Sequence, residues 1–148
     1  MARRWHWVVL LLAMVPCAAN AETARTVISS FGLVGHWAQD CSRDPAADNW
    51  HSYWSVLPSG EAKAIYRADP KNPDNVYTIH STERLTNDQI MVHQELTRDN
   101  TMFETVIIRA QNKHRSQSSR IKDGEYFVMD GKFTSNGADV YWLTRCGS

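Results

Sequence analysis

The sequence has little of what marks several large classes of protein. No apolar run approaches the ~20 residues that a transmembrane helix needs. Among its 148 residues, 16 Lys+Arg balance 16 Asp+Glu, so no excess of basic charge points to nucleic acid or an anionic membrane. Internal repeats, low-complexity tracts and an interdomain linker are also missing. With 43% hydrophobic and 22% charged residues, one folded domain is expected.

The common signatures of catalysis are missing as well. The chain has no G-x-S-x-G, H-E-x-x-H, P-loop or dinucleotide fingerprint. Acidic residues such as Asp40, Asp48 and Glu104 are present, but their spacing does not force two carboxylates together. We therefore expect a protein that is not an enzyme and needs no cofactor.

The first 21 residues have the pattern of a cleaved signal peptide. Arg3 and Arg4 precede the apolar stretch 8–15, and 19–21 reads Ala-Asn-Ala, an A-x-A cleavage signal. The mature chain then starts at Glu22 with a net charge of −2 and is periplasmic or secreted. The alternative is a lipoprotein signal that uses Cys17, although Pro16 stands where such sites want a small residue.

Cysteine is scarce, and that scarcity is informative in an exported chain. Removal of the signal peptide leaves Cys41 and Cys146, which we expect to form a disulfide in an oxidising compartment. A reactive or metal-binding pair is the alternative, but there is no C-x-x-C motif.

From residue 33 onward the hydrophobic pattern alternates with a period near two, and turn residues interrupt it every 8–12 positions. A helical lead-in is expected only at 22–31, ended by Gly32. The domain organisation is thus a signal peptide at 1–21, a lead-in at 22–32 and a β-domain at 33–148. The predicted strands are 34–40, 50–57, 62–68, 76–82, 89–97, 102–111, 116–121, 126–129 and 139–146.

Eight or nine short strands in this length suit an antiparallel barrel or a sandwich. The barrel is favoured because the two cysteines lie at the ends of the first and last strands, which must pair to close a meander. The fold class is therefore all-β: one up-and-down barrel of about eight strands, with a short helical lead-in and a Cys41–Cys146 bridge.

Gly35-His36-Trp37 on the first strand and Leu143-Thr144-Arg145 on the last resemble signatures of lipocalins and the wider calycin group. The resemblance implies that Gly35 allows close approach at the barrel floor and that Trp37 plugs the floor beneath the Arg145 guanidinium. These three residues would then be structural and not ligand contacts. The layout from G-x-W-x-x-D-C to the C-terminal Arg-Cys is also similar to that of small uncharacterised exported proteins of proteobacteria.

Aromatic residues offer the first candidate site. Trp50 and Trp54 share one face of the second strand, and Tyr66 and Tyr77 fall on the next two strands. At the mouth of a barrel these four side chains would bind a small apolar or aromatic ligand. Alternatively, they fill a barrel that is too small to hold anything else.

Histidines offer a second candidate site. If Thr86-Asn87 is the tip of a hairpin, His80 faces His93, with Met91 and Glu95 on the same face. Facing side chains are close enough to share copper or zinc. The alternative is two ordinary polar side chains on a solvated face, because a one-residue shift of register separates them.

Two further segments suggest partners. The basic stretch around Lys113, Arg115 and Arg120 would bind an anion or keep an edge strand soluble. The loop 41–49, anchored by the bridge, would present residues to a protein partner, as in an inhibitor of an extracellular hydrolase. The leading expectation is a non-catalytic periplasmic binding module for a small apolar or aromatic ligand. A protein-interaction module and a His-based copper or zinc site are the alternatives.

Overall fold

A computed structural model describes residues 23–147. The predicted signal peptide lies outside the described residues. The elements are α1 (Ala24–Phe31), β1 (Gly35–Ala38), β2 (His51–Val56), β3 (Ala62–Arg67), β4 (Asn75–Thr86), β5 (Gln89–Leu96), β6 (Thr101–Ala110), β7 (Lys113–Ile121), β8 (Tyr126–Met129), β9 (Lys132–Phe133) and β10 (Leu143–Cys146).

The strands form a closed antiparallel barrel, which confirms the predicted fold class. β1 to β7 follow one another around the sheet, and β10 pairs with both β1 and β7 to close it. Trp37 lies opposite Arg145 in the β1–β10 pair, and Leu143 lies opposite His114 in the β10–β7 pair. The β8–β9 hairpin continues from β7 outside the eight-stranded ring.

The lead-in is a short amphipathic helix. The Thr23 hydroxyl accepts a hydrogen bond from the backbone N–H of Thr26, and Gly32 ends the helix in the left-handed conformation at φ 81°. The apolar face, which includes Ile28 and Phe31, is buried across one end of the barrel. That end is therefore closed by packed apolar side chains.

Alternation along the strands separates the interior from solvent. In β5 every second residue is buried, from Ile90 to Leu96. Interior residues nearest the helix, including Val92 and Ile107, join the helix face in one hydrophobic core. The other end of the interior contains polar and aromatic side chains.

The predicted disulfide between Cys41 and Cys146 is confirmed, with Cα atoms 5.5 Å apart. It links the chain just after β1 to the end of β10, across a sequence separation of 105 residues. The bridge therefore joins the strand pair that closes the barrel.

Several strand bounds differ from the sequence-based prediction. β1 is shorter than predicted, β4 extends through Thr86, and β7 begins at Lys113 instead of residue 116. The short strand β9 was not predicted, and residues 139–142 precede β10 without joining it. The predicted facing of His80 and His93 is wrong. A β-bulge after Ile79 shifts the register by one residue, so that Ser81 lies opposite His93.

Within residues 23–147 no helix has the length and apolar character to span a membrane.

Candidate functional site: an aromatic cavity at the open end of the barrel

A cavity of about 280 Å³ occupies the end of the barrel opposite α1. Its walls come from β3 to β9, the start of β2 and the segment before β10. The lining consists of Trp50, His51, Tyr66, Arg67, Ala68, Asn75, Tyr77, Gln94, Phe103, Thr105, Ser116, Ser119, Phe127, Val128, Phe133 and Val140. The volume is just below the usual range for pockets that bind small organic molecules, ~300–1,000 Å³.

Three of the four predicted aromatic residues, Trp50, Tyr66 and Tyr77, line this cavity. Trp54 belongs to the hydrophobic core beneath it and is 2% exposed, so the prediction that it lines the pocket needs correction. The alternation of the strand placed Trp54 inside the barrel, but its depth along the barrel axis separates it from the cavity.

The aromatic rings form a continuous edge-to-face series around the wall. Tyr66 contacts Tyr77, Tyr77 contacts Phe103, and Phe103 contacts Phe127, with ring centroids 5.7–5.9 Å apart. Such contacts fix ring orientation and leave flat apolar surface facing the cavity. Trp50 packs edge-on against Phe133, 6.2 Å away, at the other side of the wall.

The two tyrosine hydroxyls remain protonated at neutral pH. Burial raises the pKa of Tyr66 well above that of a free phenol, and burial also raises the pKa of Tyr77, because phenolate ions lose their hydration there. Within the described part of the chain, neither hydroxyl has a protein hydrogen-bond partner.

Polar side chains lie among the aromatic ones. Gln94 donates from Nε2 to Thr105 Oγ1 at 3.3 Å, and Thr105 Oγ1 is 2.7 Å from Ser119 Oγ. All three side chains are at most 5% exposed. The cavity therefore combines an apolar wall with a small hydrogen-bonding group.

Charge is almost absent from the lining. Arg67 is the one Lys, Arg, Asp or Glu among the lining residues. Its guanidinium donates to both carboxylate oxygens of Asp74, at 2.8 Å and 2.6 Å. Asp74 thereby neutralises Arg67, and the site suits an uncharged molecule better than an ion.

At the closed end of the barrel, the Arg145 side chain packs against both Trp37 and Gly35. The Arg145 guanidinium lies 5.3 Å from the centre of the Trp37 ring and donates to the carbonyl oxygens of Gly32 and Val34. Gly35 has φ +135°, and a Cβ there would lie 3.3 Å from an Arg145 nitrogen. These residues hold the floor and do not contact the cavity.

The loop 41–49 is held firmly at its base. Asn49 is fully buried, and its Nδ2 donates to carbonyl oxygens of the loop, including those of Arg43 and Asp44 at 3.1 Å and 3.0 Å. Arg43 pairs with Asp48 on the exposed side, and that pairing lowers the pKa of the Asp48 carboxyl. The loop is therefore ordered and accessible.

The histidines lack the arrangement expected for a metal site. His80 Nε2 donates to Glu95 Oε2 at 2.8 Å, while His93 Nδ1 lies 3.7 Å from Glu104 Oε1. Across residues 23–147, no group of three or more His, Cys, Asp or Glu side chains has a geometry that could hold a metal ion. Because His80 and His93 do not face each other, the copper or zinc hypothesis has no geometric support.

The basic stretch is divided among separate contacts. Arg115 stacks on Trp142, Arg120 pairs with Glu104 at 2.6 Å, and His114 points into the barrel. Arg109 donates to the Phe31 carbonyl beneath the barrel. These side chains do not converge on one anion site.

The cavity-lining residues that were not predicted as site residues include Gln94, Phe103 and Thr105. A signal for Gln94 was available, because it takes an inward position between Val92 and Leu96 in an otherwise apolar column. Thr105 interrupts the inward column of β6 in the same way.

Comparison with known proteins gives no family for this site: no family model matches the chain, and no curated protein or solved structure matches it.

Proposed function

We propose that this protein is a non-catalytic binding module that takes a small organic ligand with an aromatic or apolar ring into the open end of its barrel. The observation that carries the proposal is the cavity of about 280 Å³ whose wall is the ring series Tyr66, Tyr77, Phe103 and Phe127. A rigid aromatic wall binds flat ligands at little entropic cost, because it is ordered before the ligand arrives.

The proposal is tested with 2-naphthol, a small flat probe, by isothermal titration calorimetry. We expect one-to-one binding with a Kd below about 1 mM, which corresponds to roughly −4 kcal/mol. Ser116→Phe places a ring in the cavity and should abolish binding. Ser118→Phe is the matched control, because Ser118 lies on the same strand opposite Val106, on the outer face. Failure of the wild type to bind, or equal loss in both variants, would contradict the proposal.

We further propose that the module works outside the cytoplasm, in the periplasm or as a secreted protein. The pattern of residues 1–21 and the Cys41–Cys146 bridge support this, since disulfides persist in oxidising compartments. Intact mass spectrometry of the protein from its native cell should give a chain that starts at Glu22. A mass that retains residues 1–21 would contradict the proposal.

A second candidate function is protein–protein interaction through the loop 41–49. Its support is the ordered, exposed loop that Asn49 and the bridge hold in place. A hydrolase inhibitor would form a stoichiometric complex that Arg43→Ala and Asp44→Ala weaken. A complex that both variants form with unchanged affinity would exclude this loop as the contact.

A further inference from the structure

Gln94 borders the cavity and carries an unsatisfied acceptor. Its side chain is 5% exposed and borders the cavity, and its Nε2 is committed to Thr105. Its Oε1 is buried without a hydrogen-bond partner in the described part of the chain. Buried carbonyl oxygens are nearly always paired, because they lose their hydrogen bonds to water on burial, so this atom is an exception that calls for an explanation.

The hydroxyl groups of Thr105 and Ser119 leave one O–H donor unused. Thr105 and Ser119 carry one O–H proton each, and the 2.7 Å contact between their oxygens uses only one of these protons. Whichever hydroxyl donates, the other proton remains. The polar group therefore offers an acceptor at Gln94 Oε1 and a donor on Thr105 or Ser119.

The rest of the lining restricts the ligand by shape and charge. Rings on several sides favour a flat molecule that stacks or packs edge-on. Arg67 is already paired with Asp74 through two hydrogen bonds. The lining therefore has no unpaired Lys or Arg side chain that could bind the carboxylate or phosphate of a ligand.

We infer that the ligand is a neutral, flat ring compound whose hydroxyl or ring N–H donates to Gln94 Oε1. The same polar end accepts the remaining proton of the Thr105–Ser119 pair. This inference rests on the proposed function and defines the chemical class of its ligand: a phenol or an N–H heterocycle rather than a hydrocarbon or a carboxylate.

Three matched probes test the inference by calorimetry on the wild-type protein. 2-Naphthol donates and accepts, 2-methoxynaphthalene only accepts, and 2-naphthoate is the anionic counterpart. We expect 2-naphthol to bind about tenfold more tightly than 2-methoxynaphthalene, because one additional buried hydrogen bond increases affinity by about that factor. We expect 2-naphthoate to bind at least about tenfold more weakly than 2-naphthol, because its charge is buried without a partner.

The variant Gln94→Leu removes the acceptor and keeps similar bulk. It should reduce the preference for 2-naphthol over 2-methoxynaphthalene from about tenfold to near unity. Gln117→Leu is the matched control, because Gln117 Oε1 is also buried and unpartnered but does not line the cavity. This control should keep the full preference. If Gln94→Leu does not fold, the preference of the wild type still decides the question.

The outcomes separate the inference from the proposed function. Equal affinity for 2-naphthol and 2-methoxynaphthalene would overturn the inference and leave the binding module standing. A preference for the acceptor-only probe would mean that an amide N–H faces the ligand, and would also overturn it. Absence of binding by all three probes would overturn both.

Discussion

The imidazole of His114 lies edge-on to the Trp37 ring, with ring centroids 4.7 Å apart, inside the barrel. Trp54 flanks the same imidazole at 6.4 Å, and the His114 side chain is 3% exposed. Desolvation lowers the pKa of His114 from 6.5 to about 4. A neutral imidazole is therefore part of the apolar packing between the floor and the cavity.

His114 makes stability depend on pH. Its folded pKa lies below its unfolded value, so its contribution is complete above pH 6.5 and is lost as pH falls toward 4. Between pH 7 and pH 5 this costs about 2 kcal/mol of unfolding free energy. In urea denaturation, the unfolding free energy of His114→Leu and of His114→Phe should fall between pH 7 and pH 5 by about 2 kcal/mol less than that of the wild type does. A slope equal to that of the wild type would refute the role of His114.

The contact between Arg145 and Trp37 stabilises the closed end of the barrel. Arg145→Met removes two hydrogen bonds to backbone carbonyls and the contact with the ring, and should lower the unfolding free energy by about 1–3 kcal/mol. Arg98→Met is the matched control, because Arg98 is exposed and its ion pair is with Asp99 at 3.8 Å. The control should change stability by less than about 0.5 kcal/mol. Equal effects in urea denaturation would contradict this account.

The bridge stabilises the fold by holding the closing strands together. Replacing both Cys41 and Cys146 with Ala should lower the unfolding free energy by about 2–4 kcal/mol, since the bridge closes a loop of 105 residues. A reducing agent should have the same effect on the wild type and none on the variant, as measured by urea denaturation. Two free thiols in the oxidised wild-type domain would disprove the bridge.

The barrel could be predicted from the sequence because its determinants are local. Alternation with a period of two, turn residues between the strands and two cysteines at the ends of the closing strands each specify part of the topology. The helix end at Gly32 follows from the same local chemistry, since glycine adopts the left-handed conformation readily.

The candidate site could be predicted only in part, because it depends on register and depth. A bulge after Ile79 separates His80 from His93, and no residue in that strand signals it. Trp54 and Tyr66 both point inward, but which of them reaches the cavity depends on strand tilt. Gln94 could be predicted from the sequence, because it is a polar residue at an inward position between two apolar ones on the same strand.

The central claim is that the aromatic end of the barrel binds a small ring compound. The most direct measurement is the set of intermolecular nuclear Overhauser contacts between bound 2-naphthol and the protein. The account predicts contacts from the naphthol ring to the ring protons of Tyr66, Tyr77 and Phe103. Contacts confined to exposed side chains away from the cavity, such as Leu85, or no contacts at all, would contradict it.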